Sequence, residues 1–273
     1  MKLALKLARR ELRGGFKGFG VFVACLALGV GAIAGVGSMS EAVRSGLFDD
    51  ARALLGGDID LRLHNRPAEA RHQAWLRHRA ATFSAVVEMR AMARPANGDD
   101  SRSLVELKGV DGAYPLAGAL LLSPPLAVDA ALSLKEGAWG AAADPALLAK
   151  LGVSLGQQIR VGDARFTVRA AITGEPDQVA NLFRFGPRLM VSLEAMEATG
   201  LVQPGSQIHY HYRIELKPGS EGKALIEDIN EAFPKAGWRI RGTDQAAPGV
   251  QRFIERMTMF LSFVGLTALL VGG

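Results

Sequence analysis

Leu54-Leu55-Gly56-Gly57-Asp58-Ile59-Asp60-Leu61-Arg62-Leu63 is the point at which one backbone period gives way to another. Before it, Val43, Leu47, Ala51, Leu54 and Leu55 recur at three- and four-residue steps, the spacing of one apolar helix side. After it, apolar and charged residues alternate, so Ile59, Leu61 and Leu63 share one face of a strand while Asp58 and Asp60 share the other. The two glycines between them suit a helix C-cap, because glycine adopts the left-handed conformation without a Cβ penalty. The reading is a stalk helix over 41–57 that hands the chain to the first strand of a domain.

Upstream of the stalk, Gly18 to Ser40 contains no charged residue. A run of about 23 residues at about 1.5 Å each crosses a hydrocarbon core of about 30 Å, so 18–40 is expected to be transmembrane helix 1. Within it Gly31 and Gly35 have the spacing that lets a second helix approach closely, and they are candidate helix-packing positions. Residues 1–17 carry Lys2, Lys6, Arg9, Arg10, Arg13 and Lys17 against Glu11 alone, with Leu3, Leu7, Leu12 and Phe16 on an opposing side. This is the pattern of a basic amphipathic arm on a membrane surface. By the positive-inside rule the arm is cytoplasmic and the residues after the span lie outside the membrane. A competing reading takes Ala32-Ile33-Ala34 as the cleavage site of a signal peptide, but such peptides do not need a long amphipathic arm. After Arg256 no charge appears again, and 248–273 reads as a linker and a truncated transmembrane helix 2, part of something longer.

The charge distribution excludes one class of partner. Of 32 Lys and Arg and 27 Asp and Glu, the arm holds six and one, so it carries the whole net charge of +5. The remainder is neutral and mixed, not the basic face that nucleic acid requires. The lone cysteine, Cys25, excludes an internal disulfide framework and a cysteine zinc site.

Between the apolar runs, residues 58–247 are expected to form an extracytoplasmic α+β domain. Pro67 to Ala81 reads as a helix with Trp75 and Leu76 inward. Thr82–Arg94 and Ser101–Gly109 read as a hairpin about Asn97-Gly98-Asp99-Asp100. A second hairpin turns at Gly162-Asp163, preceded by a helix over Pro145–Leu151. Arg188–Ser192, Gln207–Leu216 and Trp238–Arg241 are strand candidates, with helices at Leu193–Thr199 and Glu221–Phe233. Ser123-Pro124-Pro125 and Gln203-Pro204-Gly205-Ser206 read as loops.

Few constellations point to chemistry. His209 and His211 share a strand face at a spacing that metal sites use, but no third ligand is near in sequence. The Asp58 and Asp60 carboxylates read as a polar strand edge. There is no GxSxG, GxxxxGK[ST] or HExxH motif. No catalytic, cofactor-binding or metal-binding residue is assigned. Glu175 and Asp177, with Arg184 and Arg188, form polar loop clusters that either dock a partner or brace the fold.

The order of arm, span, α+β domain and second span resembles the N-terminal part of the permease subunits of FtsX-like and MacB-like ABC transporters. Leu54 to Leu61 resembles the segment after their first span, and Leu147 to Val153 leading into Gly156-Gln157-Gln158-Ile159-Arg160-Val161-Gly162 resembles a hairpin of their periplasmic core domain. Glu175-Pro176-Asp177, Phe185-Gly186-Pro187-Arg188 and Thr199 to Ser206 look most like the YbbP-type permeases. The resemblance implies an inner-membrane subunit that is not itself an enzyme, with ATP bound by a separate cytoplasmic ABC ATPase. It also implies further spans, mechanotransmission to the external domain, transport of lipids or other hydrophobic molecules, and association with a periplasmic lipid esterase. The alternative is a membrane-anchored periplasmic binding or scaffold domain without an ATPase.

Overall fold

The computed structural model describes residues 51–98, 100–178 and 186–243, together with isolated helical positions at 27, 30, 31, 34, 35, 38, 256, 259, 260, 263 and 267. The chain divides into two units, Asp50–Ala246 and a second made of Met1–Asp49 with Ala247–Gly273. In the second unit no helix among the described residues is long and apolar enough to cross a membrane. The arm expected at 1–17 lies outside the described residues, as do most positions of the spans expected at 18–40 and 248–273 and the 41–50 part of the expected stalk.

The first unit is built on one mixed sheet of eleven strands. In chain order these are β1 (Ile59–His64), β2 (Thr82–Pro95), β3 (Ser103–Val110), β4 (Leu121–Ser123), β5 (Leu134–Lys135), β6 (Ala138–Ala143), β7 (Gln158–Val161), β8 (Ala164–Gly174), β9 (Arg188–Ser192), β10 (Ile208–Glu215) and β11 (Arg239–Gly242). The main path runs β11-β1-β10-β2-β3-β9-β6-β8-β4, with β5 on β6 and β7 bridging β2 and β8. Most neighbours are antiparallel, but β3–β9 and β6–β8 are parallel. The helices are α1 (Ala70–Arg79), α2 (Val128–Leu132), α3 (Pro145–Leu151), α4 (Leu193–Ala198) and α5 (Gly222–Ala232). This is the expected α+β domain.

The alternation read in β1 holds across the sheet. On one face Ile59 and Leu61 of β1, Ile214 of β10 and Leu107 of β3 are fully buried. At one end of that face Leu76 of α1 and Leu225 and Ile229 of α5 close a core over β1 and β10. Farther along, Leu147 and Leu151 of α3 and Met196 of α4 close another over β3, β8 and β9. Burying each such side chain contributes about 1.5–3 kcal/mol. Helix α3 starts and stops where its sequence directs: the Asp144 carboxylate accepts from the Ala146 N–H, Pro145 takes the first turn, and Gly152 ends it at φ 64°.

Two expectations are corrected. The helix expected from Pro67 begins only at Ala70, because the Ala68 N–H donates to the Tyr212 hydroxyl at 2.7 Å and Glu69 is extended, which ties that turn to the sheet. The region 121–143, where the sequence predicts only a loop at Ser123-Pro124-Pro125, supplies β4, β5 and the interior strand β6. Its sequence Ala-Trp-Gly-Ala-Ala-Ala has little strand propensity, but the small residues admit α2: a Cβ on Gly140 would lie 2.0 Å from the Ala131 carbonyl oxygen.

Candidate functional site

The opposite face of the sheet is charged, and its register brings the charges together. Asp60 lies opposite Arg213 on β10, and His209 opposite Glu88 on β2. Glu88 in turn faces Lys108 on β3, and Glu106 faces Arg188 on β9. Strand alternation therefore sets a transverse band of acidic, basic and imidazole side chains across this face.

Lys108 is its centre, and its side chain is 0% exposed. Its Nζ donates to Glu175 Oε1 at 2.7 Å, to Asp177 Oδ2 at 2.6 Å and to the Tyr114 hydroxyl at 3.1 Å, with Glu88 Oε1 at 3.9 Å. Arg188 Nε reaches Glu175 Oε2 at 3.2 Å, and its Nη1 lies 3.5 Å from Glu88 and 3.7 Å from Glu106. Arg213 Nη2 donates to Asp177, and its Nε is 4.0 Å from Asp60. His211 Nδ1 is 2.9 Å from Asp60 Oδ1. The loop 175–178 thus closes over the sheet by presenting two carboxylates to cations from three strands.

Burial pushes the Glu88 carboxyl upward, but Arg188 and Lys108 outweigh it and hold it at about 2. Asp177 is likewise held well below the ordinary carboxylate range, its burial overcome by Lys108 and Arg213. Asp60 is lowered too, burial being outweighed by His211 and Arg213. Burial raises the Tyr114 hydroxyl, as do Asp177 and Glu175. These carboxylates stay ionised at neutral pH and are held in ion pairs, an arrangement suited to bracing and unsuited to general acid catalysis.

The network reaches residues 51–57, where the expected stalk would end. Residues 51–55 are helical, and Gly56 and Gly57 both donate to the Arg52 carbonyl at 2.9 Å. Gly56 has φ 79°, and a Cβ there would lie 2.7 Å from Arg213 Nη1, so only glycine lets the turn rest on this guanidinium. Arg52 Nε pairs with Asp58 at 2.6 Å and its Nη2 lies 3.3 Å from Glu215, while the Asp58 N–H donates to the Ile214 carbonyl at 2.8 Å. Leu54, Leu55, Asp60, Arg62, Glu88, Asp177, His211, Arg213 and Arg241 line a cavity of about 20 Å³ between stalk end and sheet.

Of the residues singled out in the loops, Glu175, Asp177 and Arg188 meet in this network, with side-chain exposures of 1%, 4% and 2%. Arg184 lies outside the described residues. Gly31 and Gly35 are helical, and a Cβ on either meets nothing within 4 Å. The two strand histidines separate: His211 turns to Asp60, while His209 Nδ1 is 2.7 Å from His64 Nδ1. Burial lowers the pKa of both His64 and His209, as do Arg62 and the neighbouring imidazoles. Among the described residues no group of three or more His, Cys, Asp or Glu is arranged to hold a metal ion. Sequence reading missed Lys108, Glu88, Tyr114 and Arg213. The signal present was the alternation Glu88-Met89-Arg90 and Glu106-Leu107-Lys108, charges on every second residue of long strands.

The chain is 30% identical over 249 residues to the ABC transporter permease YbbP of Escherichia coli K12, an alignment covering 90% of this chain and 29% of that protein. The chain therefore spans under a third of the curated relative's length. It is similar, at 12% identity and a TM-score of 0.46, to the crystal structure of the periplasmic region of MacB from Actinobacillus actinomycetemcomitans, over 77% of this chain and 98% of that one. The extracellular domain of the noncanonic ABC-type transporter YknZ from Gram-positive bacteria is also similar, at 12% identity and a TM-score of 0.45, over 67% of this chain and all of that one. The model of the MacB-like periplasmic core domain matches residues 19–232, most of the chain, and to that family the chain belongs.

Proposed function

We infer that the chain is the N-terminal part of the permease subunit of an ABC transporter in a bacterial inner membrane, its arm cytoplasmic and its α+β domain periplasmic. A separate cytoplasmic ABC ATPase binds and hydrolyses ATP, and this subunit carries the resulting movement outward. The cargo is a lipid or another hydrophobic molecule extruded or extracted from the membrane, and a periplasmic lipid esterase is a partner. The similarity to YbbP over 90% of this chain supports the permease reading.

The observation that carries the mechanical part is the joint at 51–58. A stalk transmits displacement only if its end is fixed to the body it moves. Here the Arg52 side chain grips both Asp58 and Glu215, its carbonyl holds the two glycines, and Gly56 rests on a guanidinium anchored to Asp177. Leu55 is buried, and Ala53 lies against the loop at Gly118 and Pro176.

The test uses the intact permease with its membrane partners. A flexible Gly/Ser segment inserted between Leu55 and Gly56 is expected to abolish ATP-dependent lipid release from proteoliposomes while a nucleotide-binding subunit still co-purifies. Unchanged release would sink the mechanical reading. Failure of any nucleotide-binding subunit to co-purify with the intact protein would leave a membrane-anchored periplasmic binding or scaffold domain as the better account.

A further inference from the structure

At the far end of the sheet from the stalk joint, strand register assembles a second charged group that the network does not use. Arg94 on β2 lies directly opposite Arg160 on β7, and Arg160 directly opposite Arg165 on β8. The β2–β3 ladder ends at Ala93 with Ser103, so one further step brings Arg102 opposite Arg94. Four arginines, on β2, β7, β8 and just before β3, therefore stand in one transverse row. With Pro95, Ala96, Gly98 and Asp100 they line a cleft of about 230 Å³.

Like charges directly opposite one another across strands are destabilising. Among the described residues, the carboxylates do little to relieve this row. Asp100 is the one acid among the described lining residues, and Arg160 has Asp163 only at 3.9 Å while its Nε donates to the Gly162 carbonyl at 3.0 Å. Arg94, Arg102 and Arg165 are exposed. The contrast with Lys108, Arg188 and Arg213 is chemical: each of those cations meets a buried carboxylate within 3.2 Å, whereas among the described residues no ion pair reaches Arg94, Arg102 or Arg165.

The geometry points to an anion-binding cleft in which Arg94, Arg102, Arg160 and Arg165 hold a phosphate group. All four cations are arginine, whose planar fork pairs two oxygens of one phosphate at once, where lysine offers a point charge. The cleft is smaller than the pockets of drug-sized ligands and suits a compact headgroup. Two sources carry that group, the headgroup of an anionic phospholipid and a soluble phosphate compound.

The experiment is calorimetric titration of the full chain in detergent with inorganic phosphate and, separately, with dihexanoylphosphatidylglycerol, against chloride at matched ionic strength. Saturable binding of at least one is expected, weakened about tenfold or more in Arg94→Gln/Arg165→Gln. Tighter binding of the short-chain lipid than of phosphate assigns the cleft to a headgroup, and equal binding assigns it to a soluble phosphate. In chloride buffer without phosphate the variant is expected to melt at the same temperature as the parent or higher, because a repulsion has been removed, so lost binding is not lost folding. Should the double variant fail to fold, Arg102→Gln at its exposed position gives the same readout. Absence of saturable binding to both probes, or equal binding by parent and variant, overturns the proposal.

Discussion

Leu107 and Lys108 are neighbours in β3 and both are fully buried, yet they belong to two different kinds of interior. Leu107 points into the core closed by α3 and α4, where burial of apolar area is favourable without regard to partner. Lys108 points to the other face, where its desolvation is tolerable only because Glu175, Asp177 and Tyr114 surround its nitrogen. The first face specifies that the strands pack. The second specifies which loop closes over which strand, since three cations and two loop carboxylates fit together in one arrangement.

The comparison breaks most visibly at Lys108. Lys108→Met keeps the volume but leaves Glu175 and Asp177 facing a buried apolar chain, and it is expected to cost about 3–5 kcal/mol. The urea midpoint, followed by the fluorescence of Trp75, Trp139 and Trp238, reads it. A loss under about 1 kcal/mol would show that the charged face does not hold the fold. Leu107→Ala on the other face is expected to cost about 3 kcal/mol from lost transfer energy and a residual cavity. The two variants should part in acid: the Lys108→Met deficit shrinks as the stranded carboxylates take up protons, and the Leu107→Ala deficit stays constant.

The wild-type pH profile sharpens the same contrast. Glu88 is held at about 2 against an ordinary 4.5, so the unfolded chain takes up this proton first. Its contribution, on the order of 3 kcal/mol, is complete above about pH 4.5 and is lost as the pH falls toward about 2. Asp60 and Asp177, also lowered, act in the same sense. So do His64 and His209, whose lowered pKa values favour the neutral pair at 2.7 Å and make stability fall as the pH drops below their ordinary 6.5. The urea midpoint is expected to fall monotonically from pH 7 to pH 3, and less steeply in Glu88→Gln. A flat wild-type profile would contradict the ionic account of this face.

The two faces also differ in how far the sequence discloses them. The apolar face is written in the alternation Ile59, Leu61, Leu63 and in the helical spacing of α5, local patterns that survive any tertiary arrangement. The boundaries of α3 follow from Asp144-Pro145 and Gly152, again local chemistry. What stayed hidden depends on partners distant in sequence. Lys108 and Asp177 are 69 residues apart, and nothing near either announces the other. Strand β6 was hidden for a related reason: its alanines and Gly140 are chosen by the close approach of α2 and not by strand propensity. The arginine row is the extreme case, since it exists only once β2, β7 and β8 are laid in register.

The smallest expected effect on stability falls on the residue to which the proposed mechanical coupling assigns the largest part. Arg52 is 49% exposed, and its pairs with Asp58 and Glu215 face solvent, so Arg52→Ala is expected to move the urea midpoint by the equivalent of about 0–1 kcal/mol. Its backbone carbonyl still holds Gly56 and Gly57, and Leu55 remains buried, so the joint itself survives. What the substitution removes is the cross-tie from the stalk end to the outer end of β10. If the charged face positions elements more than it stabilises them, the transport role proposed above predicts that Arg52→Ala in the intact permease lowers ATP-dependent lipid release several-fold with the melting temperature nearly unchanged. A loss of release in proportion to a loss of stability would instead make the two faces equivalent, both serving only to keep the domain folded.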